Sequence, residues 1–433
     1  MTPSFRRALA RLTTPTGYLL LLGTGQIAWL WTERLHFGMV IPLAATLGWI
    51  VLTIWLRFDG RWAAKYAALI VLIGLITIAP LVSAMITRTQ LGLTFENDGL
   101  AKAEVATDRL LQGKEIYGIN WQGTEVQGYS HIGNGREVRH FNHLPMTVLA
   151  AVPVRLLTRA VGMPFDYRMV LMLFLLVGML AVSLLSIPFP ARFLVACALL
   201  VSPALPVMTI TGHDDIMYVA MIMAGTALLA HRRPWLACLA FGLSAAFKPF
   251  GALAIPLVLI VLWVTWRRSS AFPRREAALC LGALAAPAVL TMAPFLVWNA
   301  GAFWRDVVLF SNGGIPDAFP MTGFGLSGIL VALGVLAPGG SFPFGVLQLG
   351  GLAAVYGMAW RRLAAGASLG RFMGLYAAAF LVFGFLARFF VDNYVAALMS
   401  FVLCILPLGK APLLSGRRLD PVDGDGAVLV NAA

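Results

Sequence analysis

Seven carboxylates, Glu96, Asp98, Glu104, Asp108, Glu115, Glu125 and Glu137, fall between residues 88 and 140, out of nineteen acidic residues in 433. They form a polar island in a chain that is otherwise mostly apolar. Its densest part reads TFENDGLAKAEVATDRLLQGKEIYG over residues 94–118. After Asn97 and Asp98, the positions Leu100, Ala103, Thr107, Leu110 and Leu111 recur at helical spacing, with Lys102, Asp108, Arg109 and Gln112 on the other side. The spacing predicts a short amphipathic helix that Gly113 stops, with the acids Glu96 and Asp98 where its first amide groups point. A carboxylate so placed can take a proton from a hydroxyl, so the stretch reads as a reaction centre on a membrane surface.

Three further groups carry chemistry-bearing side chains. GHDD at 212–215 supplies His213, Asp214 and Asp215. Lys248 is the single charge between Trp235 and Trp266, and ARFFVDNY at 387–394 supplies Arg388 and Asp392. Each has a plainer alternative. Asp98 could only cap its helix, Glu96 could be a solvated loop acid, and Lys248 could simply reach the interface on its long stem. His213 with two aspartates could bind a metal ion or be an ordinary polar loop before a helix. Arg388 and Asp392 could pair with each other or only mark sidedness. Tyr117, Trp121, Tyr129, Trp298 and Trp304 could stack on sugars, yet aromatic residues also gather at bilayer interfaces.

The elements that must position these groups follow from composition. With 60% hydrophobic and 12% charged residues, the chain falls far below the charged fraction of about 25% of soluble domains. This implies an all-α, polytopic integral membrane protein. The net charge of +13 lies in short clusters between apolar runs, which encodes orientation in a bilayer rather than nucleic-acid binding. Cys197, Cys238, Cys280 and Cys404 sit inside apolar runs without paired spacing, so neither a disulfide framework nor a zinc site follows.

Runs near 17–32, 37–56 and 67–87 approach the roughly 20 residues that cross a hydrocarbon core. The basic clusters around them put the N-terminus inside and the acidic loop outside. Residues 141–160, broken by two prolines, Arg155 and Arg159, read as an interfacial helix. The apolar stretch from Trp235 to Trp266 is too long for one crossing and must reverse at Lys248-Pro249, on the same side as Asp98. Residues 324–336 read as re-entrant or interfacial. The expected total is about twelve transmembrane helices, within eleven to thirteen, with both termini cytoplasmic and the reaction centre extracytoplasmic. The expected organisation is one transmembrane domain over 1–409, with an added hairpin at 1–66 and an outer loop with interfacial helices at 88–167. A cytoplasmic, disordered tail covers 410–433.

The early acid Asp98, the helix ending LLQGKEIYG, GHDD before a span and LSAAFKPFGAL around Lys248 occur in this order over roughly residues 67–409. The arrangement resembles the GT-C glycosyltransferases that use polyprenyl-phosphate sugars. It is most similar to glycosyltransferase family 87, the mannosyltransferase-like proteins of bacteria. Where such relatives often carry a tyrosine and two prolines before the second surface helix, this chain has FNHLP, with His143 and Pro145, which bears on acceptor contacts. The resemblance implies inverting transfer of a mannose-like hexose or a pentose from a polyprenyl-phosphate donor to a glycan or glycolipid acceptor. It implies no nucleotide-sugar site and no organic cofactor; a divalent cation, Mg or Mn, stays open.

The residues fit that chemistry on their own terms. Transfer from a lipid phosphate to a hydroxyl needs a base on the hydroxyl and positive charge at the departing phosphate. Asp98 is the expected base. Lys248 and Arg388 are the expected phosphate contacts, and Glu96, His143, Asp214, Asp215 and Asp392 the other expected substrate contacts. A transporter or flippase of lipid-linked saccharides is the alternative, but it should bury its charges near mid-membrane, and no internal repeat appears.

Overall fold

The computed structural model describes residues 12–91, 97–121, 124, 126, 140–268 and 273–413. Among the described residues, sixteen helices order the chain: α1 (Pro15–Thr32), α2 (Val40–Trp55), α3 (Trp62–Gln90), α4 (Asp98–Leu111), α5 (Pro145–Ala160), α6 (Arg168–Ser183), α7 (Phe189–Val201), α8 (Leu205–Ile210), α9 (Asp215–Ala230), α10 (Pro234–Phe247), α11 (Pro249–Arg267), α12 (Arg274–Asn312), α13 (Leu326–Ala332), α14 (Phe344–Ala365), α15 (Leu369–Phe385) and α16 (Asp392–Leu408). A four-residue turn of helix, Arg34–Phe37, joins α1 to α2. The all-α expectation has one small exception. Two-residue strands β1 (Thr322–Gly323) and β2 (Phe389–Phe390) pair in parallel, tying the loop after α12 to the turn before α16.

Among the described residues, α3, α11 and α12 are both long and apolar enough to cross a bilayer, and seven further apolar helices are shorter. Where twelve unbroken crossings were expected, several runs are interrupted. The run at 193–210 breaks at Ser202, Pro203 and Ala204, where Pro203 packs into the space left by Gly25. The run at 277–298 belongs to the 39-residue α12, which kinks at Asn299. The segment at 324–336 holds only the seven-residue α13, about 10 Å long and too short to cross.

The reversal at Lys248 is present. Lys248 is extended, with φ −150° and ψ 151°, between the end of α10 and Pro249 at the start of α11. Proline lacks the N–H that would continue α10 and disfavours helical geometry in the residue before it. Gly251 makes the close fold possible, because a Cβ there would lie 2.2 Å from the carbonyl oxygen of Ser244. At the far end, Cys238 lies beside Cys280, and Gly242 lets α10 press on the backbone of α12 at Leu284. All four cysteines are buried and free.

The helix α4 differs from the amphipathic surface helix expected. Asn97, not Asp98, is its N-cap, accepting from the backbone N–H of Leu100 at 2.9 Å. Gly113 ends it in the left-handed region, φ +69°, as its sequence predicts. Its charged side is packed rather than solvated, with Lys102 2% and Glu104 7% exposed. Ion pairs make this possible. Arg88 grips Glu104 through two hydrogen bonds of 2.7 and 2.6 Å, and Arg155 of α5 grips Asp108 at 2.6 and 2.8 Å. The backbone N–H of Tyr167 also donates to Glu104, so α4 is tied to the end of α3, to α5 and to the start of α6.

Candidate active site

Four chain segments converge at the N-terminus of α4. Asn97 donates through its Nδ2 to the carbonyl of Thr211, and Leu100 packs where a Cβ on Gly212 would lie, so the first turn of α4 rests on the GHDD loop. Asp98, the first residue of α4, accepts from Lys102 Nζ at 2.9 Å, one turn along the helix. Burial by itself would raise the Asp98 pKa. Lys102, and then the nearby His143 and His213, outweigh it and hold the carboxyl below its ordinary value.

His143 stands opposite. Its backbone carbonyl accepts from the Tyr117 hydroxyl at 2.9 Å, and its Nδ1 lies 3.2 Å from Asp214 Oδ2, a contact that puts the proton on Nδ1. Its Nε2 edge turns toward Gly99, where a Cβ would lie 3.6 Å away.

Behind this pair, Lys248 reaches Asp214 Oδ1 at 2.5 Å and Asp215 Oδ1 at 3.0 Å. Asn393 of α16 donates to the other Asp215 oxygen at 2.7 Å. The Lys248 ammonium also lies over the rings of Tyr394 and Tyr218, at 5.4 and 6.0 Å. Burial disfavours the Lys248 charge, but Asp214 and then Asp215 raise its pKa overall; burial likewise opposes ionisation of Asp214, and Lys248 with His143 drives it well below the carboxylate range. The result is a dry, fully matched polar knot: two aspartates, one lysine, one histidine and one asparagine, held by α5, α9, α16 and the α10–α11 break.

Arg388 lies in the turn leading into the same α16. Its Nε donates to the carbonyl of Phe319 at 2.5 Å and its Nη1 to that of Gly340 at 2.9 Å, and it is 5% exposed. Burial lowers its pKa. It makes no ion pair with a carboxylate among the described residues, and the exposed Asp392 does not pair with it. A buried guanidinium held only by carbonyls keeps its positive charge available to an anion. Glu96 lies outside the described residues, as does Tyr129.

The structure therefore brings Asp98, His143, Asp214, Asp215 and Lys248 together, sets Arg388 five residues before Asn393 across the short strand β2, and leaves Asp392 at the surface. Sequence reasoning missed Lys102, although its spacing of four from Asp98 on a helix was the available signal. It also missed Asn393 and the clamp beside the site. There, His140 bridges the fully buried Asp306 at 2.7 Å and Asp317 at 3.0 Å. Asp306 also accepts from the backbone N–H of Gly118 at 2.7 Å. Among the described residues no group of three or more His, Cys, Asp or Glu side chains is arranged to hold a metal ion. A divalent ion on the Asp214–Asp215 pair would have to displace Lys248.

The sequence profile of Glycosyltransferase family 87 matches residues 141–408, more than half of the chain. The chain belongs to glycosyltransferase family 87. The matched span contains His143, Asp214, Asp215, Lys248, Arg388 and Asp392, and begins after α4, so Asp98 and Lys102 lie ahead of it. No curated protein and no solved structure matches the chain. Family 87 membership makes this protein a glycosyltransferase, and its apolar helices agree with a place in a membrane.

Proposed function

We propose that the protein transfers a sugar, a mannose-like hexose or a pentose, from a polyprenyl-phosphate donor to an extracytoplasmic glycan or glycolipid acceptor, with inversion and with Asp98 as the base. The observation that carries this reading is the pairing of an ionised, half-accessible carboxylate at the start of α4 with a dry cationic and carboxylate knot directly against it. Asp98 takes the proton as the acceptor oxygen attacks the anomeric carbon. The bond from that carbon to the phosphate oxygen breaks on the opposite face, and its electron pair leaves with the polyprenyl phosphate.

Charge builds on the departing phosphate, and Arg388, bound only to carbonyls, is the cation with its charge unspent. Lys248 is committed to Asp214 and Asp215, so its first task is to hold those carboxylates in place; it meets a phosphate only by sharing a proton donor. Asp214 orients His143, whose Nε2 edge faces the acceptor side beside Asp98. The hydrocarbon tail of the donor lies in the bilayer, and an outer-face site lets it meet a water-soluble acceptor.

Membrane extracts supplied with a panel of radiolabelled polyprenyl-phosphate sugars, with and without chelator, test the donor class and metal dependence together. Transfer from at least one polyprenyl-phosphate sugar supports the proposal. Transfer only from nucleotide sugars, or ATP-independent movement of intact lipid-linked saccharide without bond cleavage, overturns it.

A further inference from the structure

At the end of α11 remote from Lys248, the fold leaves a slot that no part of the described chain fills. The 19 residues of α11 carry the chain about 28 Å away from the Lys248 break. From there α11 packs on α14 while α12 packs on α10, and the two consecutive helices part. Between them lies a cavity of about 570 Å³, lined by Leu259, Trp263 and Trp266 of α11, Ala278 and Leu281 of α12, and Trp360 of α14. Alanine where a leucine would fill the gap keeps it open. An apolar cleft of this kind inside a bilayer fills with hydrocarbon, because its walls otherwise lose their dispersion contacts.

Its one charged lining residue is Arg274, at the first turn of α12. Arg267, at the end of α11, stacks its guanidinium over Trp263 at 4.9 Å, and Trp263 and Trp266 pack together at 5.2 Å. Arg275 is also exposed there, and Glu276 is the lone acid in the first turn of α12. The mouth is thus cationic and aromatic while the slot is apolar. Basic pockets between helices at a membrane surface take anionic lipid head groups, and an arginine fork matches a phosphate diester.

We propose that this slot binds an anionic glycerophospholipid, one acyl chain lying between α11 and α12 and its phosphate held by Arg274 with Arg267 beside it. It is a separate site from the sugar donor's, since Asp98 and Lys248 lie at the opposite end of α11. The lipid wedges the two helices at a fixed spacing and so stabilises the pair that begins at the Lys248 break.

Titration of the purified full-length protein in neutral detergent with phosphatidylglycerol or phosphatidylcholine of identical chains, read by native mass spectrometry and by thermal unfolding, tests this. Phosphatidylglycerol should stay bound and raise the unfolding temperature, whereas phosphatidylcholine should do neither, and glycerophosphoglycerol without chains should have no effect. Arg274→Gln should weaken phosphatidylglycerol binding about fivefold, the worth of one basic residue near a lipid surface. Ala278→Phe, which fills the slot, should abolish it. Equal binding of the two lipids, an unchanged affinity in Arg274→Gln, or displacement of phosphatidylglycerol by equimolar polyprenyl phosphate would each overturn the assignment. Loss of sugar transfer is not among these readouts, so the site stands or falls apart from the donor chemistry.

Discussion

Asp98 and Lys102 form an exposed-to-buried couple one turn apart, with the carboxylate accessible and the ammonium enclosed. Because Asn97 already caps α4, Asp98 is not needed for that task. Asp98→Asn keeps the shape, removes the proton acceptor and should cut transfer by about 10²-fold to 10⁴-fold with donor binding retained. Asp108→Asn on the same helix should stay active and lose only the partly exposed pair with Arg155, which the rate of transfer by each purified variant checks. The pH dependence follows from the sign of the shift. The Asp98 carboxyl is held below its ordinary 3.8, so it stays ionised as pH falls, and the stability it adds is lost only when pH drops through that lowered value. Lys102→Met leaves burial unopposed by its neighbour, raises the pKa and should move the acid limb of the pH–rate profile toward neutrality; an unmoved limb would show that Lys102 does not tune the base. Asp98, Lys248 and the GHDD acids were legible in the sequence because acids and lysines are rare in apolar runs. Lys102 was not, because periodicity alone assigns a charged residue to the solvated face, whereas an ion pair lets it be buried.

At the scale of elements, the break between α10 and α11 and the start of α9 share one electrostatic joint. The sequence marks the break itself, since Lys-Pro in a 32-residue apolar run can hardly continue a helix. It does not mark the partners, because Asp214 and Asp215 lie more than thirty residues away and only the packing of α9 on α10 brings them in. Lys248→Met therefore removes the one cation from two buried carboxylates. It should cost about 3–5 kcal/mol of stability as well as activity, the usual effect of truncating one member of a buried pair. Lys248→Met combined with Asp215→Asn should regain much of the unfolding temperature while transfer stays impaired. Thermal unfolding of the single and double variants in one detergent decides it, and an undisturbed single variant would mean that Lys248 carries little of the joint. The tie of α4 to Arg88 and Arg155 follows the same rule: helices with charged faces are buried here by matching charges, not by removing them.

For the whole molecule, contacts sort the loops into two ends without reference to any membrane. At one end, His143, Asp214, Asp215, Lys248 and Asn393 are joined by hydrogen bonds and ion pairs, the first turn of α4 with Asp98 rests on the GHDD loop, the clamp from His140 to Asp306 and Asp317 adjoins them, and Arg388 holds the carbonyl of Phe319. At the other, Tyr66 meets Ser183, Trp62 meets Phe193 and His231 meets Leu184, joining the basic loops around Arg57, Arg192 and Arg232. The 16 residues of α9 run between the two, about 24 Å. The alternation of apolar runs and basic clusters made this division legible. It did not reveal the breaks at Ser202–Ala204 and Asn299, where a hydropathy run continues through a turn that only packing requires. Basic clusters orient a chain with their side inward, so the first end should face out and the second the cytoplasm. Single cysteines at the accessible positions 98, 312 and 392, each in a background lacking the four native thiols, should label with an impermeant reagent in intact cells, and those at 57, 232 and 267 only after permeabilisation. Because the structure holds positions 98, 312 and 392 at one end, they must respond together: protection of all three would invert the orientation and move the transfer reaction to the cytoplasmic face, while a split among them would contradict the packing of α4, α12 and α16 around one site.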